Sequence, residues 1–197
     1  MKKIIAFDFD GTLTKKDTFI EFIKFSKGSL RFYINAPFIG FVWYLSKLKI
    51  IKTHNAKAFV FSIFFKGESL IKFDKYCFDF INKIESNLRD DAKVVIEDHF
   101  LKGNEVIIVS ASVENWIKPW AKANGINMVL ATKIETNNQG KLTGKFATKN
   151  CIGDEKVKRF LGVFPNRELY HLTVYGDSKG DKNLMSIADK TFWKTLK

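Results

Sequence analysis

The run Ile4-Ile5-Ala6-Phe7-Asp8-Phe9-Asp10-Gly11-Thr12-Leu13 constrains the fold more than any other part of the chain. Its first half reads as a buried strand, from about Lys3 to Phe9. It then stops in two carboxylates one residue apart, a glycine and a hydroxyl. Burying a carboxylate is costly unless something pairs with it, so a strand has no structural use for Asp8 and Asp10. At the carboxyl end of a strand, where open α/β sheets collect ligands, the same pair makes a metal and phosphoryl site.

The second half of the chain supplies the remaining strands. Arg89 to Leu101 reads as a helix, and Glu105-Val106-Ile107-Ile108-Val109 as a fully buried strand ending at Ser110. A helix from Val113 to Asn124 and a strand from Asn127 to Ala131 follow. Lys133 to Phe146 reads as a hairpin, and Asp154 to Leu161 as a helix. A strand from His171 to Tyr175 runs into Gly176-Asp177-Ser178-Lys179-Gly180-Asp181, and a helix from Asp181 to Ala188 and a strand from Thr191 to Trp193 close the pattern. Strand alternating with helix predicts an α/β fold with a doubly wound parallel sheet. Its strand ends gather Asp8, Asp10, Ser110, Asp177 and Asp181 on one edge. Carboxylates so gathered repel each other unless a cation sits among them, and oxygen-only ligands select Mg²⁺.

Between the first strand and this region, about Asp17 to Ser86, the pattern is helical, with breaks at Lys27-Gly28-Ser29, near Pro37, near Thr53 and at Gly67-Glu68-Ser69. This predicts an α/β core at residues 1–14 and 87–197 carrying an inserted all-helical cap at 15–86. From Phe22 to Gly67 there is no Asp or Glu, while eight Lys or Arg and nine Phe occur, which implies an anionic partner. The stretches Ala36–Leu45 and Ala58–Phe65 have almost no polar face. Either they pack on each other as the core of the cap, or they meet lipid, with lysines facing anionic headgroups.

A hydrophobic content of 46% excludes a disordered chain, and the net charge of +12 comes with no nucleic-acid reader motif, so no nucleic acid is expected. Cys77 and Cys151 lack ligand spacing and read as free thiols of a reducing cytoplasm. His54, His99 and His171 have no partners at ligand spacing and read as structural. No run reaches the ~20 apolar residues of a membrane span, and Met1-Lys2-Lys3 leads into the first strand without a signal-peptide pattern. The expected location is cytoplasmic, with peripheral contact at the inner face of an anionic membrane if the apolar stretches meet lipid.

On these residues the chain resembles the haloacid dehalogenase-like (HAD) superfamily of hydrolases. Asp8-Phe-Asp10-Gly-Thr-Leu is similar to its first motif, Ser110 to its second, Lys156 to its third and Gly176-Asp177…Asp181 to its fourth. Lys149 and Lys158 lie near Lys156, and Ser112 near Ser110. Ser110-Ala-Ser112…Gly140-Lys-Leu-Thr-Gly144…Lys156 resembles the branch related to phosphoserine phosphatase, which carries a helical cap. The resemblance implies a phosphatase with Asp8 as nucleophile and Asp10 as acid and base. It implies Mg²⁺ on Asp8, Asp10 (through its carbonyl), Asp177 and Asp181, and a phosphate held by Gly11, Thr12, Ser110, Ala111 and Lys156. The cap holds a single arginine, Arg31, with Asp17 the nearest acid, which departs from an amino-acid clamp. It resembles instead the branch with phosphatidylglycerophosphatase C, implying a lipid phosphate. A soluble small-metabolite phosphate is the second reading.

Overall fold

A computed structural model describes residues 1–197. Five parallel strands form the central sheet: β1 (Lys2–Phe7), β2 (Glu105–Val113), β3 (Met128–Thr132), β6 (Tyr170–Gly176) and β7 (Lys190–Trp193), in the order β3-β2-β1-β6-β7. A two-stranded antiparallel hairpin, β4 (Ile134–Thr136) with β5 (Leu142–Phe146), stands apart from it. The chain winds outward from β1 through β2 to β3, then returns to the other side of β1 to lay down β6 and β7. That reversal places the switch point, and so the ligand crevice, between β1 and β6.

Alternation along the strands feeds two cores. Ile5 and Phe7 of β1 join Val106 and Ile108 of β2 in the larger cluster, while Ile4 and Ala6 join Ile107 and Val109 in the smaller. The first face is covered by α6 (Ala92–Leu101) and α7 (Glu114–Ala123), through Ile96, Trp116 and Trp120. The second is covered by α8 (Asp154–Val163) and the single turn α9 (Lys182–Met185), through Phe160 and Leu184. Buried on both faces, β1 from Ile4 to Phe7 and β2 from Val106 to Val109 are wholly apolar, and polar side chains begin at Asp8 and Ser110.

The helical segment consists of α1 (Thr18–Lys27), α2 (Ser29–Lys47), α3 (Thr53–Phe65), α4 (Leu70–Asp79) and α5 (Ile81–Glu85). It shares the larger core with the sheet. Phe22 of α1 stacks on Trp116 of α7 at 4.6 Å between ring centres and meets Phe65, Phe73 and Phe80. Truncating Phe22 to alanine would cost about 3–5 kcal/mol. The two connections to the sheet run side by side: Lys15 N–H donates to the Asn87 carbonyl and Arg89 N–H to the Leu13 carbonyl. A third tie joins the hairpin, where Gly67 N–H donates to the Leu142 carbonyl and Leu142 N–H to the Glu68 carbonyl, both at 2.8 Å. Gly144, at φ +85°, lets β5 approach α3 so closely that a Cβ there would lie 2.7 Å from the Ser62 Cβ.

Three expected boundaries shift. The helix predicted to break near Pro37 runs unbroken from Ser29 to Lys47. Proline frees only the Tyr33 carbonyl, and Tyr33 is exposed, so solvent can satisfy it. The helix expected from Arg89 begins at Ala92, because Arg89 is engaged in the connection. The last helix, expected over Asp181–Ala188, is only the turn Lys182–Met185, since Ile187 and Ala188 bond three residues back, to the Leu184 and Met185 carbonyls, and the α-helical pattern stops.

Candidate active site

β1 carries Asp8 to the edge of the sheet, and the Asp8 N–H donates to the Tyr175 carbonyl of β6 at 2.9 Å, which fixes it at the switch point. Lys156, from the buried face of α8, reaches the same point. Its ammonium donates to Asp8 Oδ1 at 2.6 Å, Asp181 Oδ1 at 2.6 Å and the Val109 carbonyl at 2.7 Å. Lys149 and Lys158 are exposed, so Lys156 is the lysine the fold brings to the carboxylates. Burial raises Asp8 to about 7 despite the pull of Lys156, with Asp181 and Asp10 adding in the same direction. Burial also disfavours the Lys156 ammonium, but Asp8 and Asp181 more than offset it and hold it charged above the ordinary lysine range.

Asp181 spends both oxygens within the protein. Oδ1 takes Lys156, and Oδ2 accepts from the Ser178 N–H and hydroxyl at 2.9 Å and from the Asp177 N–H at 3.2 Å. Burial would push it up, but Lys156 and these donors bring it below the usual carboxylate range. Asp177 is half-buried and raised, by burial first, against the hydrogen bond from Thr12. Thr12 Oγ1 bridges Asp177 Oδ1 at 3.2 Å and Asp8 Oδ2 at 3.4 Å. Gly11, at φ +80°, is required by this crowding: a Cβ there would lie 2.5 Å from Asp177 Oδ2.

Asp8, Asp177 and Asp181 offer carboxylate oxygens within 4.8 Å of one another. Lys156 contacts Asp8 and Asp181 but not Asp177, and burial, with the neighbouring carboxylates adding to it, raises Asp8 and Asp177. The donors are all oxygen, which suits a hard divalent cation. The residues therefore fit a metal of that class.

Asp10 faces away from this cluster. Its Oδ1 accepts from the Thr18 N–H at 2.8 Å and the Thr18 hydroxyl at 2.6 Å, and its Oδ2 from the Ser112 hydroxyl. Burial and then Asp17 raise it to about 6, against the lowering by Ser112, Thr18 and Lys57. Ser110 is buried within β2, which runs on to Val113 past the expected end, at the point where its register against β3 shifts; its Oγ accepts the Ser112 N–H at 3.0 Å, leaving its own proton to donate. The Ala111 carbonyl accepts from Thr132 and from Lys57, each at 2.9 Å.

Lys57, Thr18, Ser112 and Arg89 escaped the sequence reading as members of the site. Lys57 is buried on α3, over the Phe19 ring, and burial lowers it against the opposing pull of Asp17, Asp10 and Asp8. A signal existed: Lys57 is in helical phase with Val60, Phe61 and Phe64, a charge on an apolar face. Arg89 donates to the Gly11 carbonyl from Nε at 3.0 Å and Nη2 at 2.8 Å, bracing the loop after Asp10. Asp17 caps α1 through the Phe19 N–H, and Arg31 is exposed, so neither acts as a clamp in this arrangement. Two of the three histidines have structural partners: His54 Nδ1 accepts the Asn150 N–H and His99 bonds the Tyr175 hydroxyl. Beside the site lies a cleft of about 850 Å³ lined by residues 50–55 and by Lys149, Asn150, Ile152, Asp154 and Glu155. Ile152 on its wall approaches Gly180, next to Asp181.

A family model for haloacid dehalogenase-like hydrolases matches residues 5–186. The chain belongs to that family. Protein CicA of Caulobacter vibrioides (strain NA1000 / CB15N) is 31% identical over 202 residues, covering 98% of this chain and 86% of the relative. Among solved structures, a protein of unknown function from Bordetella pertussis Tohama I superposes with a TM-score of 0.82 at 18% identity, covering 97% of this chain and 89% of the other. A substrate-bound phosphoserine phosphatase superposes with a TM-score of 0.70 at 18% identity, covering 98% and 86%. These two likenesses show the fold. No helix is long and apolar enough to cross a membrane.

Proposed function

We propose that the chain is a Mg²⁺-dependent phosphomonoesterase working through an aspartyl-phosphate on Asp8. The carrying observation is the environment of Asp8: a buried carboxylate at the switch point, against a buried ammonium, with two further carboxylates in metal-sharing range. Membership of a hydrolase family and the fold shared with phosphoserine phosphatase support the reading. The catalytic core is assigned to residues 1–14 and 87–197 and the cap to 15–86.

Asp8 attacks phosphorus in line, forming a new P–O bond while the bond to the leaving oxygen breaks. Asp10 gives that oxygen a proton, then takes one from the water that cleaves the aspartyl-phosphate. An acid near 6 is suited to both steps around neutral pH. Lys156 and the Ser110 hydroxyl hold the phosphoryl oxygens, with the Gly11–Thr12 and Ala111 backbone completing the cradle. Asp8, Asp177 and the Asp10 carbonyl would hold Mg²⁺, with Asp181 in support because its own oxygens are already engaged. When bound, the ion supplies the positive charge that lets an anionic phosphate enter among carboxylates.

The substrate reading is a phosphate ester with an apolar or lipid portion, such as phosphatidylglycerophosphate. It rests on the acid-free, aromatic cap and on the isoleucines that line the cleft. One observation favours the second reading, a soluble small metabolite: the buried ammonium of Lys57 suits a second anionic group on a compact substrate. The test is phosphate release by wild type and Asp8→Asn, with and without Mg²⁺. The panel is phosphoserine, sugar phosphates and phosphatidylglycerophosphate in mixed micelles. The expected result is Mg²⁺-dependent release that falls by about 10³-fold or more in the variant. Equal turnover by both proteins would overturn the mechanism, and the preferred member of the panel decides between the substrates.

A further inference from the structure

α2 has two apolar faces, and the protein buries only one of them. Phe32, Ile39 and Val42 point inward. Leu30, Ile34, Phe38, Phe41, Tyr44 and Leu48 recur at intervals of three and four, and all are exposed, Ile34 to 70% and Phe41 to 56%. The helix has 19 residues, so this ridge runs about 28 Å. A contiguous exposed apolar strip of that length marks a surface meant to be covered. α3 is equally apolar, but its Val60, Phe61, Phe64 and Phe65 are buried within the protein, and its one exposed large side chain, Phe59, packs edge-on against Phe38 of the ridge. The ridge on α2 is what remains uncovered.

Charge decides what covers it. Arg31 lies near one end of the ridge, Lys47, Lys49 and Lys52 lie near the other, all four are exposed, and no acid occurs between Glu21 and Glu68. A symmetric pairing with a second copy would set these cations against their own copies, and like charges so placed disfavour association. A single helix is a convex ridge, which suits a deformable apolar layer with an anionic surface. Aromatic side chains over basic flanks match the chemistry of helices lying in a lipid interface.

We propose that the outer face of α2 is a docking surface for a bilayer containing anionic lipid. The ridge runs toward the cleft: two residues past Leu48, exposed Ile50 lines it together with Ile51 and Lys52. Docking there sets the cleft mouth close to the headgroups. The inference extends the lipid reading of the substrate, but vesicle binding is measured without turnover, so the two fail separately.

The experiment is flotation of the full chain with vesicles of phosphatidylcholine alone or mixed with phosphatidylglycerol, at low and high salt. Wild type is expected to float with the anionic vesicles at low salt and less so at high salt. Phe38→Ser with Phe41→Ser should lower the bound fraction about tenfold, since two aromatic anchors are lost. Lys47→Glu with Lys49→Glu should abolish the preference for anionic vesicles. Unchanged circular dichroism shows that both variants are folded. The proposal is overturned if wild type floats with neither vesicle, or if the Phe38/Phe41 variant binds as wild type does. It is also overturned if wild type is a dimer that the same substitutions dissociate, or if it binds acidic proteins but no lipid.

Discussion

Lys156 and Lys57 both bury an ammonium against β2, at the carbonyls of Val109 and Ala111 respectively, yet they sit in opposite electrostatic settings. Lys156, from the α/β side, touches two carboxylates and is held charged. Lys57, from the helical side, donates to a carbonyl and lies over the Phe19 ring with no carboxylate in contact, and burial lowers it. One ammonium is paired with carboxylates by direct contact, and the other is not. In the proposed reaction Lys156 serves the phosphoryl group, and Lys57 is the cation that a second anionic group of the substrate would meet.

Removing the compensated lysine should have the largest effect. Lys156→Met leaves Asp8 and Asp181 buried without their counter-ion, and breaking one side of a buried ion pair costs about 3–5 kcal/mol. Chemical denaturation should show that loss, and kcat should fall by about 10²–10³-fold as phosphoryl stabilisation disappears. A stable, active Lys156→Met protein would mean that the three carboxylates do not depend on this ammonium, and the contrast between the two lysines would collapse.

Lys57→Met should behave differently. It removes a charge that no carboxylate contacts, so stability should hold or rise by about 1 kcal/mol. The loss should instead appear in substrate recognition. For esters carrying a second anionic group, kcat/KM should fall about 10–100-fold, the value of a hydrogen bond to a charged partner. For p-nitrophenyl phosphate, which has no such group, it should barely change. An equal loss on both substrates would make Lys57 a part of the common machinery.

How much of this was legible beforehand follows the same divide. Asp8, Asp10, Asp177 and Asp181 stood out because buried strand ends have no structural use for carboxylates, and the β-branched runs around Ile5 and Ile107 announced a parallel sheet. Lys156 could be named but not separated from Lys149 and Lys158, because burial belongs to the packed helix and not to its spacing. Thr18 and Ser112 meet at Asp10 from positions 94 residues apart, a coincidence that only the fold creates. The ties between residues 67–70 and the hairpin were invisible because they are backbone bonds and carry no side-chain signature. The two apolar stretches looked alike in sequence, and only packing distinguishes α3, with Phe59 its one exposed large apolar side chain, from α2 with its open face.

The smallest effect tests whether Lys156 compensates Asp8 fully. Burial has raised Asp8 from 3.8 to about 7, so its folded form binds the proton more tightly than the unfolded chain does. That contribution to stability is complete below 3.8 and is lost as pH rises through about 7. Metal binding runs the other way, because a cation needs the ionised carboxylate and competes with the proton. At about pH 6 roughly a tenth of Asp8 is ionised and at about pH 8 roughly nine-tenths, so apparent Mg²⁺ affinity should rise about tenfold across that window. Thermal melts with and without saturating Mg²⁺ should therefore diverge as pH rises, with the metal-free protein losing Tm while the loaded one holds it. Equal protection at both pH values would mean that Asp8 is already ionised at the lower one. In that case the ammonium of Lys156 outweighs burial, and the pair behaves as one neutral unit to which the metal adds without displacing a proton.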